Sequence, residues 1–336
     1  MKKNNIAIAS LRVPFLVNAI LQNLRVQKKF IQKNINPHLN NAWKNNDRSI
    51  EENDIKKITG YYGLAVPAIL GEAFCALRGK KMTGKERLAS TCQGAMTGLF
   101  DDFFDKQRLS DEGLMDFLIK PDTVTANSTT ENLFLHFYTT ALNNAPQPKL
   151  MQERLYRVYH AQVLSKQQAG PGLSYTDIEN ITLLKGAESL LFYRTAFGNP
   201  TNAKEEKMLY CLGGLMQLSN DIFDVYKDQE QGIHTLVTTA KRIKDLRLFF
   251  SSLLAIGYEA AYKTGYPRKN IKLFLSIISL GIFSRCYVCL DQLEKLEKKS
   301  GNIFDPARYN RKDLVCDMDK GKNKLKSLKY HVKNSP

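Results

Sequence analysis

The stretch from Gln217 to Gly232, QLSNDIFDVYKDQEQG, sets Asn220, Asp224 and Asp228 four residues apart. Four residues turn an α-helix by about 400°, so the three oxygen-bearing side chains stack within roughly 80° on one helical face. Exposed helices usually place lysine or arginine at such steps. Here two carboxylates face each other at a cost of a few tenths of a kcal/mol, and a cation between them removes that cost. Oxygen-only ligands suit a hard ion such as Mg²⁺, which typically takes one or two carboxylates together with phosphate oxygens and water.

A second cluster, Asp101-Asp102-Phe103-Phe104-Asp105, repeats the four-residue step far earlier in the chain. A run of charge is ordinarily a solvated turn. The flanks Gly98-Leu99-Phe100 and Phe103-Phe104 are too apolar for that. Carboxylates held among phenylalanines need a partner, either a metal ion or Lys/Arg, because an unpaired buried charge costs several kcal/mol. Asp221, Asp224 and Asp228 show the same mixture, interleaved with Ile222, Phe223, Val225 and Tyr226. Two such faces on separate helices predict metal ions gripped by both.

Helical periods dominate the rest of the chain, and no run alternates as a strand would. Residues 1–46 read as one or two amphipathic helices broken near Asn36-Pro37, and Asp47-Arg48-Ser49 offers caps for a helix through Ile58. Tyr61–Leu77 reads as an apolar helix kinked by Gly63, Pro67 and Gly71. Thr83-Gly84-Lys85-Glu86 is a capping box that starts the helix carrying the first acidic cluster. Further starts stand at Ser110 and Thr129, and a loop runs from Gln168 to Ser174. A helix over 175–197 contains Gly186 and is closed by Gly198-Asn199-Pro200-Thr201, which caps the next; Gly213-Gly214 mark a kink or a close backbone approach. Long helices over about 237–263 and 268–299 complete a single all-α domain, 1–336.

The chain carries 49 Lys+Arg against 33 Asp+Glu, a net charge of +16. That balance fits either a polyanionic partner or a solvated basic surface. No basic motif with interleaved aromatics appears, so no nucleic-acid partner is expected. Cys286 and Cys289 form a C-x-x-C with no second pair, which reads as packed thiols more than as zinc or redox chemistry. The start, MKKNNIAIASLR, lacks the apolar core of a signal peptide, and the apolar run Leu273–Phe283 is about half of a membrane span. A reduced, cytoplasmic protein is expected.

In combination, D-D-x-x-D at 101–105 and N-D-x-x-D-x-x-x-D at 220–228 resemble the class I isoprenoid synthase superfamily. The string Q-L-S-N-x-x-x-D-V-x-x-D-x-x-x-G at 217–232 is similar to the second aspartate motif of squalene and phytoene synthases. Ser284-Arg-Cys-Tyr287 through Lys295, Gly301 and Phe304-Asp305-x-x-Arg308 resemble the C-terminal helix of that branch and its exit. Other features resemble terpene synthases instead. The segment before the first motif is long, Ala95-Met-Thr-Gly98 replaces the arginine and aromatic pattern of squalene and phytoene synthases, and Arg308-Tyr309 is similar to a C-terminal Arg-Tyr pair. The resemblance spans about 90–310, leaving divergent N-terminal helices over 1–90 and a basic tail over 311–336.

The resemblance implies a helical bundle with a central active-site cavity and a Mg²⁺-dependent terpene synthase, a lyase that ionises a linear prenyl diphosphate and lets the carbocation cyclise or be quenched. Its rival is a head-to-head prenyltransferase. A basic helical protein that binds lipid or RNA is the non-enzymatic alternative. Implied metal ligands are Asp101, Asp102, Asp105, Asn220, Asp224 and Asp228, holding three Mg²⁺ ions, with Asp101, Asp105, Asp224 and Asp228 catalytic. Asp102 and Asp221 serve as ligands or as acceptors behind them. Lys185, Arg194, Lys227, Arg308 and Tyr309 would bind diphosphate, and Phe100, Phe104, Phe192 and Phe223 would line the cavity. Between Gly94 and Asp105 the chain has no cation to neutralise a second diphosphate, which favours one substrate per turnover and no need for NADPH. Peripheral membrane contact through the basic surface and a homodimer stay open.

Overall fold

The computed structural model describes the backbone of residues 2–105, 111–170 and 172–335, and side chains from Ser10 onward except 105–112 and 171. Among the described residues every regular element is a helix. In chain order the main ones are α1 (Lys2–Asn34), α2 (Asn36–Lys44), α3 (Glu52–Arg78), α4 (Gly84–Asp105), α5 (Asp111–Ile119) and α6 (Thr129–Asn144). Then follow α7 (Pro148–Ser165), α8 (Tyr175–Arg194), α9 (Ala203–Glu230), α10 (Ile243–Tyr262), α11 (Arg268–Lys299) and α12 (Gly321–Lys333). The all-α expectation holds.

The chain divides into two compact units. One comprises 1–16, 157–191 and 201–336; the other comprises 17–156 and 192–200.

In the 17–156 unit, α4 packs along α6 and along the first part of α3. The capping box forms as expected: the Thr83 N–H donates to Glu86 Oε2 at 2.9 Å and the Glu86 N–H to Thr83 Oγ1 at 3.2 Å. Glu86 also accepts from buried Arg78 at 2.7 Å, so the cap is anchored to the end of α3. Helix α3 is one continuous run with widened π-helical turns at Lys57–Tyr62 and Val66–Gly71, where two helices meeting between Ile58 and Tyr61 were expected. Pro67 has no N–H for the ladder, and widened turns absorb such a defect without breaking the helix. The α3 start is also later than expected. Glu51 is its N-cap, in a capping box with Asp54, while the Asp47 carboxylate accepts from the Ser49 N–H.

In the other unit, α9 packs on α10 and α11, and α12 packs on α11. The Asn202 side chain caps α9 by accepting from the N–H groups of Lys204 and Glu205, one residue beyond the expected Thr201. The basic tail expected over 311–336 contains the turn Arg311–Leu314 and helix α12. The Tyr330 ring stacks on Tyr287 at 5.0 Å, and Ser327 and Ser284 share a hydrogen bond of 2.8 Å. Helices α3 and α11 are each long and apolar enough to cross a membrane, which revises the expectation from the shorter run Leu273–Phe283. In their most apolar windows 61% and 67% of the residues are buried inside the protein, the ordinary state of a core helix.

Candidate active site

The second acidic motif lies on α9, uninterrupted from Ala203 to Glu230. Its four-residue steps bring the side chains together: Asn220 Nδ2 donates to Asp224 Oδ2 at 3.2 Å, with Asn220 exposed and Asp224 half-buried. Asp228 is buried. Burial, then the Asp221 and Asp224 charges, push its carboxyl up to about 7, opposed by Lys227 and Lys185. Burial likewise raises Asp224, against Lys227 and the Asn220 hydrogen bond. These carboxylates and two lysines thus form one electrostatic group.

Asp221 points to a different neighbourhood on the same helix. It accepts from Gln217 at 2.8 Å and from Thr182 on α8 at 3.4 Å. Burial raises it to about 6, with Gln217 and Lys185 pulling the other way. Lys185 on α8 is therefore within electrostatic reach of both Asp221 and Asp228. Gly186, its neighbour, explains how. A Cβ on Gly186 would fall on the Gly213 carbonyl oxygen, and one on Gly213 on the Gly186 carbonyl oxygen, so α8 and α9 touch backbone to backbone. Gly213 marks this close approach and not a kink.

The first motif is at the end of α4. Gly94 and Gly98 leave room for α3: a Cβ on Gly94 would meet the Tyr62 carbonyl oxygen at 2.5 Å, and one on Gly98 the Tyr62 ring at 3.3 Å. This approach delivers two side chains that the sequence around the aspartates does not reveal. The Tyr62 hydroxyl donates to Asp101 Oδ2 at 3.0 Å, and Lys57 Nζ lies 2.6 Å from Asp102 Oδ1. Burial works against the Lys57 charge, but Asp102, with Asp54 and Asp101, outweighs it and holds the ammonium above the ordinary lysine range. Buried Asp102 therefore has a lysine as its cation, and half-buried Asp101 faces a phenol. The Asp105 side chain lies outside the described residues.

The expected clamp residues separate into those near a motif and those used elsewhere. Lys227 is exposed beside Asp224 and Asp228. The turn Pro306–Arg308 packs against α9, with Arg308 paired to Asp305 at 3.0 Å and Tyr309 bonded to Ser300 at 2.6 Å. Arg194 is buried, and its guanidinium donates to the carbonyls of Phe197 and Asn199, both at 2.9 Å, closing the turn after α8. That is the work of a helix terminator. The sequence reading missed Arg285 on α11, whose guanidinium lies over the Phe223 ring at 5.0 Å, next to the second motif.

Phe100, Phe104 and Phe192 behave as core, whereas Phe223 is half-buried under Arg285. Phe100 and Phe104 meet at 5.2 Å, Phe100 stacks on Phe134 at 6.0 Å, and Phe192 is buried. A cavity of about 360 Å³ exists in the other unit, and none of the expected site residues lines it. Among the described residues no three carboxylate, imidazole or thiol groups are arranged to hold a metal ion by themselves. A Mg²⁺ ion that arrives with phosphate oxygens needs only one or two carboxylates, and exposed Asn220 with half-buried Asp224 fits that requirement.

No protein-family model matches the chain, and no curated protein matches it. Among solved structures, the fold is similar to that of a dehydrosqualene synthase crystallised with a ligand, at 14% identity and a TM-score of 0.44, over 94% of this chain and 97% of that one.

Proposed function

We propose that this chain is a Mg²⁺-dependent isoprenoid synthase that ionises a linear prenyl diphosphate and releases its diphosphate. The observation that carries the reading is the α9 face of Asn220, Asp224 and Asp228 with Lys185 brought alongside by the Gly186–Gly213 approach. Burial raises all three carboxylates, Asp221 included, the Asp224 charge adds to this at Asp221, and the Asp221 and Asp224 charges add to it at Asp228; a divalent cation is a species that relieves such a group.

In this reading Asn220, Asp224 and Asp228 hold Mg²⁺ on one acidic face, and Asp101 and Asp105 do so on the other. Bound Mg²⁺ supplies Lewis-acid stabilisation of the charge that builds on the departing diphosphate. Lys185 and Lys227 would bind diphosphate oxygens, Arg285 would add a cation over the Phe223 ring, and Tyr62 fixes the orientation of Asp101. Asp102, paired with Lys57, positions that end of α4 and ligates no metal. Arg194 is not part of the clamp.

For the product, cyclisation or quenching of one ionised substrate without NADPH is the first reading. Lys57 reaches Asp102 from α3 and brings to the first motif a cation that residues 94–105 do not supply. That observation gives head-to-head joining of two substrates standing as a second reading. The enzyme is proposed to act in the cytoplasm, without a nucleic-acid partner.

The test is release of inorganic pyrophosphate from C10 to C25 prenyl diphosphates, with Mg²⁺ and with chelator. Mg²⁺-dependent release that falls by orders of magnitude in Asp224→Ala and Asp101→Ala supports the reading. No release from any of these substrates overturns it. Mass spectrometry of the products decides the branch: the substrate's carbon number for a cyclase, twice that number for a head-to-head enzyme.

A further inference from the structure

The cavity in the unit that contains α10, α11 and α12 is built unlike the acidic faces. Its volume is about 360 Å³, and its walls include the rings of Tyr258, Tyr287 and Tyr330 with Leu254 between them. Its charged lining residues are Arg247 and Lys333, and no carboxylate lines it. None of Asn220, Asp224, Asp228 or Lys185 lines it, so it is separate from the α9 face.

The walls are braced from behind. Tyr287 packs edge-on against Phe250 at 5.3 Å, stacks on Tyr330, and shares a hydrogen bond of 3.0 Å with Ser251. The Tyr330 hydroxyl donates to Asp291 at 2.6 Å, and Arg247 donates to Asp291 at 2.9 Å and to Glu294. Arg247 is thereby tied into α11, with its guanidinium 5.8 Å from the Tyr287 ring. Two polar groups are not used in this way. Exposed Lys333 has no ion pair among the described residues. The Tyr258 hydroxyl is buried and makes no close hydrogen bond among them; Ser279 acts on it as a hydrogen-bonding side chain and is itself bonded to His331 at 3.0 Å. A buried hydroxyl short of hydrogen bonds is stabilised by a ligand oxygen.

Aromatic and aliphatic walls with a few convergent polar groups are the usual make-up of a small-molecule site, and this volume is within the usual range. Arg247 is spent on Asp291 and Glu294, so exposed Lys333 is the charged lining group that selects the sign of the ligand. We propose that this cavity binds an anionic amphiphile, an apolar body carrying one carboxylate or phosphate, with the anion at Lys333 and the apolar part against the three tyrosines. The site is made by α12 folding onto α11, so an occupant would also hold the C-terminal segment in place. The proposal stands independently of the enzymatic reading.

Decyl phosphate, decanoate and decanol, each below its aggregation concentration, are titrated into the full chain by calorimetry in chelator, so that no Mg²⁺ site contributes. One saturable site for at least one anion, with decanol about tenfold weaker or more, is expected, since a charge-assisted hydrogen bond is lost. Preference for the phosphate or for the carboxylate names the ligand class. Lys333→Ala should weaken the bound anion about tenfold, Ala255→Trp should abolish binding by filling the cavity, and Asp224→Ala should change nothing. If Ala255→Trp does not fold, Tyr258→Phe and Lys333→Ala carry the test. Decanol binding as well as the anions, or anion binding indifferent to Lys333 and to position 255, overturns the proposal.

Discussion

Gly186 on α8 and Gly213 on α9 face each other with no room for a methyl group on either, because each would press into the other's carbonyl. The contact sets Lys185 within reach of Asp221 and Asp228. Backbone carbonyls cannot rotate aside as side chains can, so a single added methyl has to push the two helices apart. Gly186→Ala and Gly213→Ala should each destabilise the protein by about 1–3 kcal/mol, the usual cost of overpacking. Gly84→Ala, at the open start of α4 where nothing lies within 4 Å, is the control and should be neutral or slightly stabilising. Denaturant melts compare the three. Equal midpoints would mean that the two helices are free to separate.

Lys57 and Asp102 form the second decisive pair. Lys57→Met strands a buried carboxylate and should cost about 3 kcal/mol, towards the low end for a buried pair because the lysine side chain is 30% exposed. Lys57→Met with Asp102→Leu should recover most of that loss, since an apolar pair of similar shape replaces an ion pair at little cost. A double variant no more stable than the single one would show that Asp102 needs a cation for some other purpose, metal ligation included.

These two relationships show where sequence reading reaches its limit. Helix periods, the Thr83–Glu86 capping box and the four-residue steps of the second motif are local patterns, and local geometry realises them directly. The partners of Asp101 and Asp102 come from Tyr62 and Lys57, a helix away, and nothing in the spacing around the aspartates encodes that. Phe100 and Phe104 lie beside the motif in sequence, yet their rings meet Phe134 because α4 packs on α6. Cap positions were misjudged where two residues could serve, as with Thr201 and Asn202. The side chain that accepts the free N–H groups depends on where the chain enters the helix.

The C-x-x-C motif should be chemically quiet. Cys286 and Cys289 are buried free thiols, and burial pushes Cys286 up to about 12. Thiolate is the reactive form, so both should resist a thiol reagent at pH 8 in the native protein and react only on unfolding. Half-buried Cys211 should be labelled first. Rapid native labelling of Cys286 or Cys289, or stoichiometric zinc in the purified chain, would reinstate a redox or metal role.

The acidic face of α9 makes stability depend on pH in an unusual direction. Burial and the neighbouring Asp221 and Asp224 charges hold Asp228 at about 7 in the folded chain, against an ordinary 3.8 when unfolded. Between those values the folded state binds the extra proton, so its contribution to stability is fully present below about 4 and is lost as pH rises through 7. Asp221, at about 6, adds in the same sense. The metal-free protein should therefore lose on the order of a few kcal/mol from these two groups between pH 5 and pH 8. Ligands that bind only the folded state stabilise it by mass action, and Mg²⁺ prefers the ionised carboxylates. Adding Mg²⁺ with inorganic pyrophosphate should raise the Tm more at pH 8 than at pH 5.5. Asp228→Asn should flatten the metal-free pH slope and blunt the response to Mg²⁺. A wild-type slope unchanged by Asp228→Asn would mean that Asp228 is ionised in the folded protein without a metal, and the case for a cation on this face would lose its physical basis.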